Sequence, residues 1–481
     1  MNIQIKNISL AFLAAIILAP TPSHAAEPQS KSLLEQSLEK AHDLRPYSAL
    51  RLYNQYIAAH PDDAEALARR SGTFLTICDI PRAIADAEAA INIAPNKSYG
   101  YRARFNISSN LGRHGLQKAD ALKILSFNEP HGDTIFYWWS QANVLKIAGK
   151  TEEAKKALAQ AEKLVPKDDS AKSLLLRANN YAINNNFYAA QLDFDESILK
   201  NPNEPFAYFG RGQAQYELFH CKEVILDFTR VLESYPKDHY AHWAIGVAKF
   251  RLGDNDGALK SLDRALQLVP NFTYGYAWRG CVYLEKKDPA RAIKDFSTAI
   301  RLDPLNDYAL HKRAHCYYQI NRADLALRDF TRAEQIAPKD WDLLNCYGGF
   351  MRSQKRYDES IALFDRSIAI FPYFPNSLCA RGNTHMLAGH YKQAIADCTE
   401  SLKLDDKRSH PHFSRGISYG KLKQYDLAIK DLTDAIDLQP GYGEAYYERS
   451  KVYKAMGKPE LERKDLELAA KNAYRPAIDM K

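Results

Sequence analysis

Apolar positions recur along this chain at helical spacing, in blocks separated by short polar breaks. Between Pro270 and Pro304, the segment Thr273–Lys286 carries Tyr276, Gly280 and Tyr283 at helical intervals, and Lys287-Asp288-Pro289 interrupts it. Ala290–Leu302 follows with Ala292, Phe296, Ala299 and Ile300 on one face, which predicts a second helix. Pro289 fits that helix's first turn, where its missing N–H costs nothing. Pro304 stops it, because the ring cannot continue the hydrogen-bond ladder. The predicted unit is helix, turn, helix, turn.

The unit repeats. Pro202, Pro236, Pro270, Pro304, Pro338 and Pro372 follow one another at 34 residues, and Pro440 stands two periods further on, with Asp406 on the rung between. Pro166, Pro95 and Pro61 extend the ladder backwards with slips, 36 residues from Pro166 to Pro202 and 71 from Pro95 to Pro166. The extra residues are expected in turns, around Gly132-Asp133-Thr134 and Asp169-Ser170, where insertion is tolerated. A fixed period over most of a chain predicts a stacked solenoid, because one unit is too small to bury its own apolar face. Ten positions past the proline stands a small residue (Gly212, Gly246, Gly280, Ala314, Gly348, Gly382, Gly416). Twenty-two past stands another (Ala83, Ala258, Ala292, Ala326, Ala394, Ala428), and four further on a large apolar one (Phe228, Phe296, Phe330, Phe364). In this pattern the chain resembles the tetratricopeptide repeat family, over about thirteen units from Ser30 to Arg475. The resemblance implies an all-α fold, a right-handed α-solenoid spanning residues 26–475 with a tail at 476–481. Glu462 at the small position, and the charges from Leu461 to Lys471, read as a solvent-facing end cap.

Nine positions past the proline many units carry arginine, and sixteen later aspartate. The pairs are Arg70 with Asp86, Arg177 with Asp193, Arg211 with Asp227, Arg279 with Asp295, Arg313 with Asp329, Arg381 with Asp397, Arg415 with Asp431 and Arg449 with Asp465. Arg104 with Asp120 makes a ninth if the register holds there. The other units have neither partner: Gln36 and Leu52, Gln141 and Ala157, Ile245 and Ser261, Tyr347 and Leu363. All-or-none use marks a structural ion pair, since one unpartnered buried charge costs about 3–5 kcal/mol.

The resemblance further implies that the first helices line a concave groove. Four positions past the proline it places Tyr99, Phe136 (allowing for the insertion), Phe206, Tyr240, Tyr274 and Tyr308 in it, then polar Asp342, Asn376, His410 and Glu444. Seven and fourteen past add Trp139, Phe209, Trp243, Tyr216, Phe250 and Tyr318. These aromatics form either an interaction surface or packing against the neighbouring unit, with Trp243 and Phe209 expected to be the most exposed. Eleven past stand Asn106, Asn143, Asn179 and Gln213 in successive units. An amide offers both donor and acceptor, which suits an extended peptide backbone, although a solvated polar position is an ordinary place for Asn. Arg102, Asn106 and Lys172 resemble parts of the family's carboxylate clamp, but Ser140 and Leu176 leave most of its basic cradle missing.

Composition narrows the function. The charge of +7 comes from 65 basic and 58 acidic residues without a clustered stripe, which argues against a nucleic-acid partner. Residues 1–25, with Lys6, an apolar run from Ile8 to Leu18 and Ser23-His24-Ala25, read as a secretory signal peptide, the run being too short to span a bilayer. The expected destination is the periplasm or the extracellular space. Seven scattered cysteines, Cys78 among them, show no paired spacing and read as packing residues. His311 and His315 are spaced to share a metal but lack a supporting motif, so no metal or other cofactor is expected. Repeats leave no room for a catalytic domain. The expectation is a non-enzymatic scaffold that binds a protein or peptide partner in its groove. The alternatives are an envelope adaptor working through its convex surface or ends, and a glycan or peptidoglycan binder.

Overall fold

A computed structural model describes residues 34, 36–37, 46–77, 79–127, 134–165, 167–472 and 474. The expected signal peptide, the C-terminal tail, Cys78 and the Gly132-Asp133 insertion lie outside the described residues. The described residues form 25 helices and no strand. Two compact units divide them, one running to Ile320 and the other starting at Asn321. The first contains α1 (Pro46–Ala59), α2 (Ala64–Thr76), α3 (Ile80–Ile93), α4 (Ser98–Leu111), α5 (His114–Leu125), α6 (Ile135–Ile147), α7 (Thr151–Lys163) and α8 (Ala171–Ile183). It continues through α9 (Phe187–Lys200), α10 (Pro205–Glu217), α11 (Cys221–Ser234), α12 (His239–Arg251), α13 (Asn255–Leu268), α14 (Thr273–Glu285), α15 (Pro289–Leu302) and α16 (Asp307–Gln319). The second runs from α17 (Ala323–Ile336) through α18 (Trp341–Ser353), α19 (Tyr357–Ile370), α20 (Pro375–Leu387), α21 (Tyr391–Leu404), α22 (Ser409–Lys421), α23 (Tyr425–Leu438) and α24 (Gly443–Ala455) to α25 (Pro459–Lys471). Within each, a helix packs on the one before it and the one after it, so the core is a succession of interfaces.

Local chemistry sets the helix ends. Asp63, Asp254, Asp288 and Asn306 accept backbone N–H groups that would otherwise be orphaned at the helix start. At the insertion, Ser170 caps α8 and Asp168 folds back on Ser170 and Ser173, which holds its carboxyl down at about 2. In these repeats the turn after the first helix uses one left-handed residue: glycine at Gly253, Gly389 and Gly457, but Phe219, Lys287, Lys355 and Lys423 in other units, all with φ between 59° and 85°. Six positions past the ladder proline, Tyr208 and Tyr276 donate their hydroxyls to the carbonyls of Pro202 and Pro270 at 3.1 Å.

The small residues of the pattern sit where helices touch. A Cβ on Gly212 or Gly280 would come within 2.9 Å of the ring of Phe228 or Phe296, and one on Gly348 within 3.0 Å of Phe364. Those phenylalanines are fully buried. One residue earlier in both helices, arginine meets aspartate. The pairs at Arg70, Arg104, Arg177, Arg211, Arg279, Arg381, Arg415 and Arg449 are all bidentate, with Nε and Nη2 donating to the two carboxylate oxygens at 2.6–3.0 Å. The aspartates are buried and the arginines half-buried. Arg313 stands at the end of the first unit and Asp329 in the second.

The arginine does more than the sequence spacing suggested. Its remaining Nη1 reaches sixteen residues backwards, to the second helix of the preceding repeat: Arg70 to Asn54, Arg211 to Asp195, Arg279 to Asp263, Arg381 to Asp365, Arg415 to Thr399 and Arg449 to Thr433, at 2.6–3.0 Å. Arg313 likewise donates to Ser297 at 2.9 Å. In those six repeats with both arms the guanidinium therefore staples three helices. Where Tyr347 replaces it, the ring stacks on Phe330 at 5.1 Å and the hydroxyl lies 3.1 Å from that of Thr331, again sixteen residues back. α25 buries only Asp465 and Ala469.

Candidate functional site

The amide row stands on four successive first helices, α4, α6, α8 and α10. Asn106, Asn143, Asn179 and Gln213 each retain 7–8% of their exposure. Asn179 donates to the Leu175 carbonyl of its own helix at 2.7 Å. Arg102, one turn before Asn106, donates to Gln141 at 3.1 Å and to Ser98 at 3.2 Å, with its guanidinium over the Tyr137 ring. Ser140 is buried and Lys172 exposed, so the clamp positions do not form one basic cradle.

The aromatic positions correct an expectation. Trp243 and Phe209, expected to be the most exposed, are buried, as are Trp139, Tyr216, Tyr240 and Tyr274. Phe209 meets Phe228 edge-on at 5.3 Å and Tyr240 at 5.4 Å. Trp243 lies among Tyr216, Tyr240 and Tyr274, with ring centroids 5.0–5.8 Å away. Trp139 donates its indole N–H to Asn180 at 3.0 Å. The cause is geometric: a large ring on one first helix fills the space against its own second helix and the next first helix. Phe206, Phe250 and Tyr308 are half-buried and Tyr318 is more open. The side chain of Phe136 lies outside the described residues. Trp278, unmarked by the groove register, is buried between Phe250 and Tyr308; its register, eight past the proline, was the available signal.

Electrostatics follow from this packing. Burial raises the Glu217 carboxyl to about 7, which Arg251 only partly opposes. Arg251 lies 4.4 Å over the Tyr216 ring and 4.6 Å over Phe219, and donates to the Tyr216 hydroxyl at 3.2 Å. Burial also pushes Cys281 up to about 11 and Cys316 to about 12, which leaves these thiols protonated and inert at neutral pH. His311 is buried, while His315 lies 3.1 Å from the Gln319 amide. A different group, His412, Asp431 and Asp434, comes together in the second unit, but Arg415 occupies both oxygens of Asp431.

One contact departs from neighbour-only packing. The corner joining α4 to α5 lies against the first turn of α14 and the loop between α15 and α16. Gly112, at φ 70°, rests on the Tyr274 ring so closely that a Cβ would sit 2.5 Å from a ring carbon. His114 and Gly115, the first residues of α5, donate their backbone N–H groups to the Asp303 carboxylate at 2.9 and 3.2 Å. That carboxylate caps a helix whose own preceding residue, Arg113, provides no side-chain cap. His114 Nε2 and the Tyr274 hydroxyl are 2.8 Å apart. Beside them His239 is buried edge-on to Phe272, and burial drives it down to about 3, with the Asn110 backbone opposing.

Models of the tetratricopeptide repeat match residues 225–271 and 279–340, and a second such model matches 410–442. The crystal structure of the APC/C hetero-tetramer Cut9–Hcn1 aligns with 87% of this chain and 96% of its own at 12% identity, with a TM-score of 0.52. Yeast Tom70 aligns with 92% of this chain and 98% of its own at 16% identity, with a TM-score of 0.41. PilW, a type IV pilus biogenesis factor, aligns with 42% of this chain and 95% of its own at 21% identity, with a TM-score of 0.40. No relative among curated proteins matches the sequence. The fold is a tetratricopeptide-type solenoid, a repeat scaffold of the kind that serves protein–protein interaction and is generally non-catalytic.

Proposed function

We propose that the protein is a non-enzymatic scaffold that holds an extended segment of another protein along the first helices of its N-terminal unit. The observation that carries this reading is the amide row Asn106, Asn143, Asn179 and Gln213, repeated at one register on four neighbouring helices and buried as polar groups with 7–8% of their surface left open. An amide at each repeat supplies a donor and an acceptor for a peptide backbone, Asn179 exchanging its bond to the Leu175 carbonyl to do so. The buried aromatics act as the wall behind that row rather than as its contact surface. The experiment is crosslinking capture from envelope extracts with a photoreactive residue introduced at Asn143. Capture of a defined protein by this probe, and its loss in Asn106→Ala/Asn179→Ala, supports the reading; capture unaffected by that change removes it.

A second reading, an adaptor acting through its convex surface, is favoured by a different observation. Tyr188, Leu192 and Leu199 on α9 and Leu226 on α11 are 68–81% exposed, and burial of the groove aromatics between repeats points the same way. The same capture with the probe at Leu192 separates the two. For either reading we propose an exported protein whose mature chain starts near Ala26; terminal sequencing that finds an intact Met1 would remove that element.

A further inference from the structure

We infer that the α4–α5 corner is a reversible clasp that closes the concave side of the first unit over the first turn of α14. Its regulatory role rests on the groove reading above. In a solenoid each repeat touches its neighbours alone, yet this contact joins residues separated by 189 positions, His114 and Asp303. Closure on this scale is a tertiary event superimposed on the repeat, and it can open without unpairing any helix of a repeat.

The chemistry of the contact suits a clasp better than a permanent seam. Its attractive part is concentrated in two backbone N–H groups on one carboxylate, one bond between His114 and Tyr274, and the Gly112 backbone lying on a ring. Its cost is also visible. Asn110 Oδ1 and Arg113 Nε on the corner, and Thr273 Oγ1 beside Tyr274, are buried without a protein partner, and an open state returns them to water. Burial shifts Arg113 downward, with Asp303 opposing. Attraction and penalty are therefore both carried by polar groups that water can satisfy in the open state. What the closed clasp covers is Tyr274, one of the concave-register aromatics, which packs at a tilt against Trp243, itself against Tyr240. A segment entering the groove at α12–α14 must displace the corner first, so the clasp competes with the partner for the same turn.

The test uses the full chain and two variants. Asp303→Asn keeps the side-chain shape and one acceptor for its own loop, where Asp303 also receives the Leu305 N–H at 3.3 Å. Tyr274→Phe keeps the ring and removes only the hydroxyl. Hydrogen exchange is followed for peptides covering 108–117 and 239–245, with α8–α9 as an internal reference. Asp303→Asn should raise exchange in both peptides at least tenfold and leave α8–α9 unchanged, and Tyr274→Phe should do so more weakly. Exchange in 108–117 and 239–245 that stays at the wild-type rate in Asp303→Asn overturns the clasp. For the regulatory role, the probe is a fluorescein-labelled extended peptide selected by display against Asp303→Asn. It should bind that variant at least tenfold more tightly than wild type. Equal affinity, with exchange showing the variant open, overturns occlusion while leaving the groove reading standing. If display on the open variant yields no groove-binding peptide, the groove reading and the regulatory role fall together, and exchange alone decides whether the clasp exists.

Discussion

At the scale of single residues, the arginine nine positions past the ladder proline carries the most structural consequence. Removing Arg279 strands Asp295, which is buried, and Asp263, which is half in water. A lone buried carboxylate is the expensive product, so Arg279→Ala should cost about 2–3 kcal/mol, somewhat below the roughly 3–5 kcal/mol of a fully buried pair because the guanidinium is partly solvated. Arg279→Ala/Asp295→Ala should cost less than the single change, and a denaturation double-mutant cycle without coupling would refute the pairing. Trp243 makes the opposite point. As a fully buried ring it should cost about 3–5 kcal/mol on truncation to alanine, read as lost stability rather than lost binding. Asn143→Ala should leave the melting midpoint within about 2 °C and weaken a groove peptide by about 1 kcal/mol. Asn376→Ala, an exposed position four past the ladder proline in the second unit, serves as the unaffected control.

At the scale of the element, the left-handed turn after each first helix is a site where this chain has not chosen uniformly. Lys423 adopts φ 62° where the equivalent turns at Gly389 and Gly457 use glycine. A residue with a Cβ pays about 1 kcal/mol there, and glycine gives back part of that relief through the entropy of its unfolded state. Lys423→Gly should therefore stabilise the second unit by about 0.5 kcal/mol, measurable as a raised denaturation midpoint. Phe219 is the exception to avoid, because its ring stacks beneath Arg251 at 4.6 Å. These elements were readable in advance: the ladder prolines, the small residues at ten and twenty-two, and the Arg–Asp spacing are all local consequences of packing two helices closely. The backward arm of each arginine was not, since Asn54, Asp195 and Thr399 share no residue type that a pattern would reveal.

At the scale of the molecule, acid should act on the first unit through its buried histidines. His239 faces Phe272, the Asn110 backbone and His242, and its value near 3 lies below the usual histidine range of about 6.5. His114, also lowered by burial, faces Asp303, Gln117 and Tyr274, and Asp303 opposes the shift. The opened or unfolded form then binds more protons, so stability is fully present above about pH 6.5 and is lost as pH falls from there towards 3. For His239 alone that amounts to about 2 kcal/mol by pH 5. Glu217, raised to about 7, acts in the opposite sense, so the His239 contribution is read by difference: from pH 7 to 5 the urea midpoint of His239→Gln should fall less, or rise more, than that of wild type, and identical slopes would contradict the burial argument. The amino-acid sequence by itself determined the repeat, its helix pairs and turns, and which charges face each other, because each of these is set by neighbours along the chain and one period away. Only the tertiary structure decided which concave-register aromatics remain accessible, and that residues 110–115 return to Tyr274 and Asp303. Those outcomes depend on how small rotations between successive repeats accumulate, a quantity that no single period encodes.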